Sequence, residues 1–519
     1  MAYDVLLTSA RLVDGTGAPS RTGDVAIQGG TIARVGRLKA QGAAARLEVD
    51  CTGLVISPGF IDIHNHSDWS LFDRPDAANY ITQGVTTLLV GNCGVSPAPA
   101  APAWDQRTLV PAATFAEYLD ALDALPKAVN VGALIGHGQV RKAVMGLEGR
   151  EAASEELEAM KAHVREAMES GAFGLSTGLI YAPGIYAGLG EILELAGVVG
   201  GYGGLYATHV RNESDLVVEA VLEAVQVGRA TGCRVQVGHH KVSGKRNWGL
   251  VRATLDLMER ARVTGVEVTC DVYPCTASAT DLYTFFPAWA RKAGKAGFLQ
   301  LLGDPAARER MRKELLRPSP DWENILLDAD FDGVMVSRSQ VFPWYQGKTL
   351  AQLAQEHGKE PMDCLLELVA SDPDTDVVAG GMSEADVRYV LQHRLSMICS
   401  DGAVVELGAG CPHPRSYRAF VRALATYARD EGVLSLETAV HKMTGLPAWK
   451  LGLDDRGMLR PGARADLAVF DLWELGYDSD YADPHHYCRG MVHVLVNGEF
   501  ALRDGRQTGA KAGNTLRRT

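Results

Sequence analysis

The chain has 519 residues, which is too long for one small domain and suits a large α/β unit with an appended domain. Hydrophobic residues make up 46% and charged residues 22%, a composition typical of globular enzymes. The formal net charge of −12 argues against nucleic acid or an anionic membrane as a partner, because both attract basic surfaces.

The two ends of the chain share a pattern of short strands. Residues 1–53 alternate polar and apolar positions, and Gly29 and Gly30 fit a tight hairpin. Residues 464–471 and 492–498 repeat this style. Since chain ends often lie close together, we predict that residues 1–57 and 455–519 form one small β-sandwich domain.

Between the two ends, strand-like and helix-like segments alternate. The count of eight candidate strands predicts a (β/α)8 TIM barrel over residues 58–454. The competing architecture is a doubly wound open sheet, but no glycine-rich phosphate turn follows the first strand. The candidate strands are 54–63, 85–92, 129–136, 172–180, 204–209, 234–239, 266–272 and 395–400.

An insertion is predicted between strands seven and eight. About 120 residues separate Tyr273 from Leu395, against about 30–40 in the other units. Residues 275–345 are rich in aromatic and charged side chains. Two interpretations stay open for this segment: a lid over the catalytic end of the barrel, or a decorative subdomain.

The first strand ends in the sequence Asp-Ile-His-Asn-His, which indicates a metal site. Side chains alternate faces along a strand, so His64 and His66 point the same way. The C-terminal ends of barrel strands form the mouth where catalysis takes place. The alternative is that one ring is a satisfied polar residue and the other faces solvent.

Further candidate ligands follow other strands. Cys93 ends the second strand in Gly-Asn-Cys-Gly, and a thiolate is a good zinc ligand. His209 ends the fifth strand. Of the neighbours His239 and His240 after the sixth strand, only one can point inward, and we choose His239. His137, after the third strand, would support the site or face the substrate.

Asp401 follows the eighth strand and can reach into the mouth of the barrel. Beside a metal, such a carboxylate can take a proton from water, although Asp-Gly is otherwise a turn signal. The nitrogen and sulfur donors together favour zinc over magnesium or calcium.

The nine cysteines are scattered and include no CxxC pair. Most of them are expected to be small buried hydrophobic residues in a reducing compartment. The N-terminus lacks a secretory pattern and no apolar run reaches membrane-spanning length, so we expect a cytoplasmic location.

The order of these motifs resembles the amidohydrolase superfamily and, within it, the N-acyl-D-amino-acid deacylases, also called D-aminoacylases. The resemblance extends over nearly the whole chain. The matching words are PGFIDIHNHSD (58–68), QGVTTLLVGNCG (83–94), GLSTGLIYAPG (174–184), THVRNE (208–213), GHHKVSG (238–244), DVYPCTAS (271–278), GGMSE (380–384), SDG (400–402), HPRSYRAF (413–420) and KMTGLPAWKLGL (442–453).

The resemblance implies a zinc-dependent hydrolase of N-acyl-D-amino acids with a defined set of site residues. Cys93, His209 and His239 would hold a tight zinc ion. His64 and His66 would form a second, weakly occupied metal position. Asp401 would be the general base and acid. The residues implied in substrate binding are Lys241, which would lie near the α-carboxylate, Tyr273 and Tyr181.

Arg415, in the HPR motif, would meet an acidic side chain or simply order its loop, and both interpretations stay open. The D-selectivity also comes from the resemblance alone. No lysine occurs in 172–184, where other superfamily members carry a metal-bridging lysine, and this counts against a hydantoinase or dihydroorotase.

Two other functions remain as alternatives, a cyclic-amide hydrolase and a non-catalytic scaffold. A scaffold would be expected to lose ligands, whereas this chain keeps all of them. The preferred side chain and acyl group, the occupancy of the second metal position and the oligomeric state stay open.

Overall fold

The computed structural model describes residues 2–101 and 112–518. Its centre is the parallel eight-stranded barrel predicted from the strand–helix alternation. The third barrel strand consists of two short pieces on either side of Leu134. In chain order, barrel strands one to eight are Phe60–Asp62, Val85–Val90, Asn130–Ala133 with Ile135–Gly136, Gly174–Gly178, Leu205–His209, Arg234–Val237, Val268–Val272 and Ser396–Ile398.

Backbone hydrogen bonds close the barrel between strands one and eight. The Asp401 amide donates to the His64 carbonyl over 2.9 Å, and the His66 amide donates to the Gly402 carbonyl over 2.8 Å. Strand two is buried along its whole length, as expected for a parallel strand covered on both faces. The closing hydrogen bonds therefore lie at the end of the barrel where the motifs of strands one and eight meet.

Helices cover the outside of the barrel. The helix Ser154–Ser170, which precedes strand four, is followed by Gly171. This residue adopts the left-handed conformation (φ 108°) that favours glycine at a helix C-terminus. The helices of this layer are Ser70–Asp73, Ala78–Ile81, Phe115–Ala124, His137–Met145, Ser154–Ser170, Leu189–Gly201, Val217–Thr231, Val251–Val263, Glu384–Gln392, Arg415–Arg422, the π-helix Ala423–Asp430, Leu436–Met443 and Gly445–Leu451.

Strands from both ends of the chain form one connected sheet. Val55–Pro58 pairs in parallel with Tyr3–Leu12 on one side and antiparallel with Leu467–Phe470 on the other. Val55, Phe470 and Val494 belong to the core of the barrel, so this sheet packs directly on it. The remaining strands of the sheet are Arg21–Gln28, Thr31–Gly36, Ala45–Asp50, Met491–Val496, Glu499–Arg503 and Arg506–Gln507.

The segment between strands seven and eight has a small antiparallel sheet and its own hydrophobic core. The strand Asp376–Ala379 lies between Ser278–Asp281 and Val334–Arg338. The unit therefore extends beyond residue 345, the end of the segment predicted from the sequence. Its core includes Phe285, Leu326 and Leu366. Its helices are Ala288–Arg291, Gly294–Gly303, Pro305–Leu315, Ile325–Gly333, Leu350–His357 and Pro361–Ser371.

Candidate metal centre

Cys93 lies at the centre of a cluster of imidazole rings at the barrel mouth. Its Sγ atom is 3.3 Å from His64 Nε2, 3.3 Å from His239 Nε2 and 3.8 Å from His209 Nδ1. All four side chains are buried. The structure thus brings together donors from strands one, two, five and six that are distant in the sequence.

Backbone conformation directs these donors inward. Cys93, His239 and Asp401 all have positive φ angles, of 52°, 34° and 50°. Such conformations cost energy in residues other than glycine and concentrate at functional sites. The chain also packs tightly here, since a Cβ atom on Gly178 would lie 2.1 Å from the Cys93 carbonyl oxygen. Only glycine therefore allows strand four to approach the Cys93 loop this closely.

The electrostatic environment favours a thiolate at Cys93. Burial alone would raise the pKa of this thiol, but the adjacent His239 and His64 rings lower the pKa well below its usual range. A thiolate with neutral imidazoles is the donor set that suits zinc. The Nε2 atom of His209 is buried, makes no hydrogen bond to the described residues and lies 3.6 Å from a Glu213 carboxylate oxygen.

His64 and His66 lie on the same side of strand one, as their spacing predicts, with ring centroids 5.4 Å apart. His64 Nδ1 is 3.1 Å from Asp271 Oδ1, and His66 Nε2 is 3.1 Å from Asp401 Oδ1. His64 is also close to Asp401, with 3.5 Å between Nε2 and Oδ1. These two rings and Asp401 form a second group of donors beside Cys93.

The donors form overlapping groups rather than two separate sites. Among the described residues, three sets of three have donor atoms within 4.8 Å of one another, and the set around Cys93 shares His64 with the second set and His239 with the third. This overlap means that two metal positions at this mouth would be neighbours. The sets are His64 with Cys93 and His239, His64 with His66 and Asp401, and His209 with Glu213 and His239.

Asp401 is buried and bound to Arg415, with 2.6 Å between Oδ2 and Nη1. Burial raises the pKa of the Asp401 carboxyl, but the Arg415 guanidinium and the His239 ring outweigh this effect and hold it well below its usual range. Asp401 is therefore an ionised carboxylate with one oxygen toward Arg415 and the other toward His66. Arg415 also lies 4.7 Å from the centre of the Tyr273 ring.

Lys241 is held by Glu213, with 2.8 Å between Nζ and a carboxylate oxygen, and it donates to the His239 carbonyl over 2.9 Å. Tyr273 lies below this amine, with 5.5 Å between Nζ and the ring centre. The Tyr181 ring meets the His209 ring edge to face at 5.1 Å. The predicted substrate residues are thus grouped around the donor cluster, and both cations already have carboxylate partners.

Glu213 and Asp271 are site residues that the sequence interpretation did not assign. Glu213 contacts His239 Nδ1 at 3.1 Å as well as Lys241, and Asp271 accepts from the His239 amide over 2.6 Å. Glu213 follows His209 by four residues in the THVRNE motif, and this spacing is the signal that could have identified it. Asp271 is the last but one residue of strand seven, two residues before Tyr273.

Two other histidines lie outside the donor cluster. His240 turns away from the mouth, and its Nε2 atom is 2.8 Å from Thr254 Oγ1 on an outer helix. His137 is fully buried and pairs with Glu191 at 2.7 Å, next to the Arg141 guanidinium. His137 therefore supports the packing behind strands three and four and does not face the substrate cavity.

The cluster opens into a cavity of about 500 Å³ at the barrel mouth. His66, Cys93, His209 and Asp401 contribute to its floor, whereas residues of the inserted segment contribute to its walls. Ser278 and Glu323 are examples of such wall residues. The inserted segment therefore covers part of the mouth, which is the placement that the lid interpretation requires.

Comparison with known proteins identifies the family. A model of the amidohydrolase family matches residues 47–213 and 348–501, which is more than half of the chain. The chain belongs to the amidohydrolase family. This result confirms the family that the sequence motifs indicate, and the barrel with an additional domain is the fold of this family's solved members.

Three curated relatives from Alcaligenes xylosoxydans xylosoxydans are similar over almost their whole length. A D-aminoacylase is 37% identical over 100% of this chain and 98% of its own. An N-acyl-D-aspartate deacylase is 35% identical, with 98% and 93% covered. An N-acyl-D-glutamate deacylase is also 35% identical, with 95% and 93% covered. The amidohydrolase thus groups with the deacylases of this family.

Solved structures agree with this grouping. A D-aminoacylase described as defining a novel subset of amidohydrolases superposes with a TM-score of 0.84 at 37% identity, over 99% of this chain and 100% of that one. The N-acyl-D-glutamate deacylase from Bordetella bronchiseptica, complexed with zinc and a phosphonate inhibitor, gives 0.85 at 34% identity, with both chains fully covered. Among the described residues, no helix is long and apolar enough to cross a bilayer.

Proposed function

We propose that this amidohydrolase hydrolyses the amide bond of N-acyl-D-amino acids, releasing a carboxylate and a free D-amino acid. The observation that supports this most directly is the position of Asp401 beside the cluster of sulfur and imidazole donors in one cavity. The D configuration of the substrate rests on the relatives, which are D-aminoacylase and the N-acyl-D-aspartate and N-acyl-D-glutamate deacylases.

The donor set fits zinc. We assign the tight position to Cys93, His209 and His239, and a weaker second position to His64 and His66. The thiolate character of Cys93 supports the first assignment, as do His239 Nε2 and His209 Nδ1, which lie 3.3 Å and 3.8 Å from its Sγ atom. One solved relative is described as a D-aminoacylase with a binuclear metal centre, activated by one metal and attenuated by the second. When bound, zinc supplies Lewis-acid polarisation of a carbonyl and lowers the pKa of water.

Asp401 is assigned as the general base and then the general acid. Its carboxylate is ionised because of Arg415, so it can accept the proton of the attacking water. The same carboxyl group then donates that proton to the leaving nitrogen. His66 and Arg415 each hold one oxygen of Asp401, which fixes the direction of both proton transfers.

Lys241, Tyr273 and Arg415 are assigned to the carboxylate end of the substrate, and Tyr181 to the acyl side of the donor cluster. Charge-assisted hydrogen bonds from Lys241 and Arg415 would hold a carboxylate at a fixed distance from the donors. Each of these cations is already paired with a carboxylate, on Glu213 and Asp401. The substrate carboxylate therefore joins existing ion pairs, and exclusion of water from them strengthens these contacts.

The test is a panel of N-acetyl-D- and N-acetyl-L-amino acids incubated with the zinc-loaded protein and assayed for free amine. Turnover of D substrates, with matched L substrates at least about a hundredfold slower, is the expected result. Hydrolysis of L but not D substrates would contradict the stereochemical assignment. A cyclic amide such as a hydantoin serves as the control substrate, and its preferential hydrolysis would contradict the linear-amide assignment.

A further inference from the structure

A second cavity, of about 630 Å³, adjoins the metal cavity on the side of barrel strands three and four. We call it the side chamber. Lys142, Tyr181, Ala182 and Asp281 line both cavities. The other walls of the side chamber come from Ala101, from the end of the helix His137–Met145 with the turn that follows it, and from the inserted segment. Tyr181 therefore lies at the junction between the donor cluster and this chamber.

The walls of the side chamber offer mainly apolar surface. Val144 and Leu147 face it from the barrel, and the ring of Tyr283 faces it from the inserted segment. Leu147 is 43% exposed, so its side chain is accessible from the chamber. The charged side chains on its walls are Lys142 and Asp281, which line both cavities, and Lys295, which pairs with Asp374.

Asp281, on the wall between the two cavities, accepts hydrogen bonds on one of its carboxylate oxygens. It accepts from the amide and the hydroxyl of Thr284, over 2.7 Å and 2.8 Å. Its Oδ1 atom therefore caps the short helical turn that follows it. Beyond Lys142 and Asp281 at the junction, the apolar walls of the chamber suit an aliphatic group.

The order of strands around the barrel indicates which end of a substrate reaches this chamber. Lys241, Tyr273 and Arg415 follow strands six, seven and eight, whereas Tyr181 follows strand four. In a closed ring of eight strands, strands three and four lie across the mouth from strands seven and eight. A molecule with its carboxylate near Arg415 and its carbonyl at the donor cluster therefore directs the group beyond the carbonyl toward Tyr181.

We infer that the side chamber receives the acyl chain of the substrate, so that the enzyme acts on amino acids bearing unbranched acyl chains longer than acetyl. This inference rests on the proposed amide hydrolysis. Tyr181 sets the passage, because its ring packs on His209 and lines both cavities. Val144, Leu147 and Tyr283 supply the apolar contacts that make each additional methylene group favourable.

The experiment compares N-acetyl, N-butyryl, N-hexanoyl and N-octanoyl derivatives of one D-amino acid. Burial of a methylene group increases kcat/KM by about threefold, so the hexanoyl derivative is expected to exceed the acetyl derivative by at least about tenfold. Leu147→Trp fills the chamber and should lower kcat/KM for the octanoyl derivative by about tenfold, with the acetyl derivative changed by less than about twofold.

Leu222→Trp is the matched control, since Leu222 is 39% exposed on the outer helix Val217–Thr231. It should leave the preference for chain length unchanged. Val144→Trp is a second way to fill the chamber, from the last turn of the helix His137–Met145, and should act like Leu147→Trp. Thermal melting of all three variants identifies any that fail to fold, and the remaining filled-chamber variant then decides.

The outcomes separate this inference from the proposed function. Turnover of N-acetyl-D-amino acids with no gain from longer acyl chains would overturn the inference and leave the proposed function intact. A gain from longer D side chains that Leu147→Trp abolishes would assign the chamber to the side chain and would also overturn it. Absence of turnover at every acyl length, with zinc bound, would overturn both.

Discussion

Replacing Glu213 by Gln tests whether the electrostatic network around the donor cluster is truly desolvated. Glu213 and Lys241 are 4% and 5% exposed, with 2.8 Å between the carboxylate and the amine. The substitution keeps the shape of the side chain but leaves the Lys241 ammonium without its buried counter-charge. Breaking a buried pair in this way costs about 3–5 kcal/mol of stability.

The control is Glu223→Gln, which removes the partner of Arg211. This pair has similar contact distances but its side chains are 17% and 30% exposed. An ion pair of that kind contributes about 0–1 kcal/mol. Melting temperatures measured in chelator should therefore fall by several degrees for Glu213→Gln and by about one degree or less for Glu223→Gln.

A second substitution separates charge from packing. Glu213→Gln combined with Lys241→Met removes both charges, and it should recover most of the lost stability because no uncompensated ammonium remains. Equal melting temperatures for Glu213→Gln and Glu223→Gln would refute the reasoning. A double variant that is no more stable than Glu213→Gln would also refute it.

The remaining predictions concern proton transfer, metal binding and a buried lysine. Asp401→Asn should retain zinc and lose about 10²–10⁴ in kcat, measured as amine release; a rate near wild type would remove its proton-transfer role. Cys93→Ser should lower the zinc content by elemental analysis, whereas Cys411→Ser should not. Burial lowers the pKa of Lys450 to about 7. Since the unfolded chain binds more protons between about pH 7 and 10.5, stability should rise with pH there, by at most about 1.4 kcal/mol per unit, and Lys450→Met should lack that rise.

The barrel and the main donors could be predicted because their signals are local. Strand two is a continuous apolar run, and His64 and His66 follow the two-residue period of a strand. A donor at the end of a parallel strand must lie at the same barrel mouth as the others. Cys93, His209 and His239 therefore meet for reasons that can be read from their places in the chain.

The contacts that depend on packing could not be predicted from local patterns. Nothing near Arg415 in the sequence indicates that its guanidinium contacts Asp401, which is 14 residues earlier. The pairing of Glu213 with Lys241 likewise joins two loops. The extent of the inserted unit was underestimated, because Asp376–Ala379 is a strand of four residues whose partners lie about 40 and 100 residues earlier.

The shared terminal sheet has a consequence for synthesis on the ribosome. The strand Val55–Pro58 cannot pair with Leu467–Phe470 until roughly 400 further residues have been synthesised. This takes about 20–80 s at ordinary translation rates. During this interval the nascent protein exposes an unpaired strand edge, a feature that promotes aggregation. A product terminated shortly after residue 402 would contain all eight barrel strands, but the edge of Val55–Pro58 would remain unpaired and prone to aggregation.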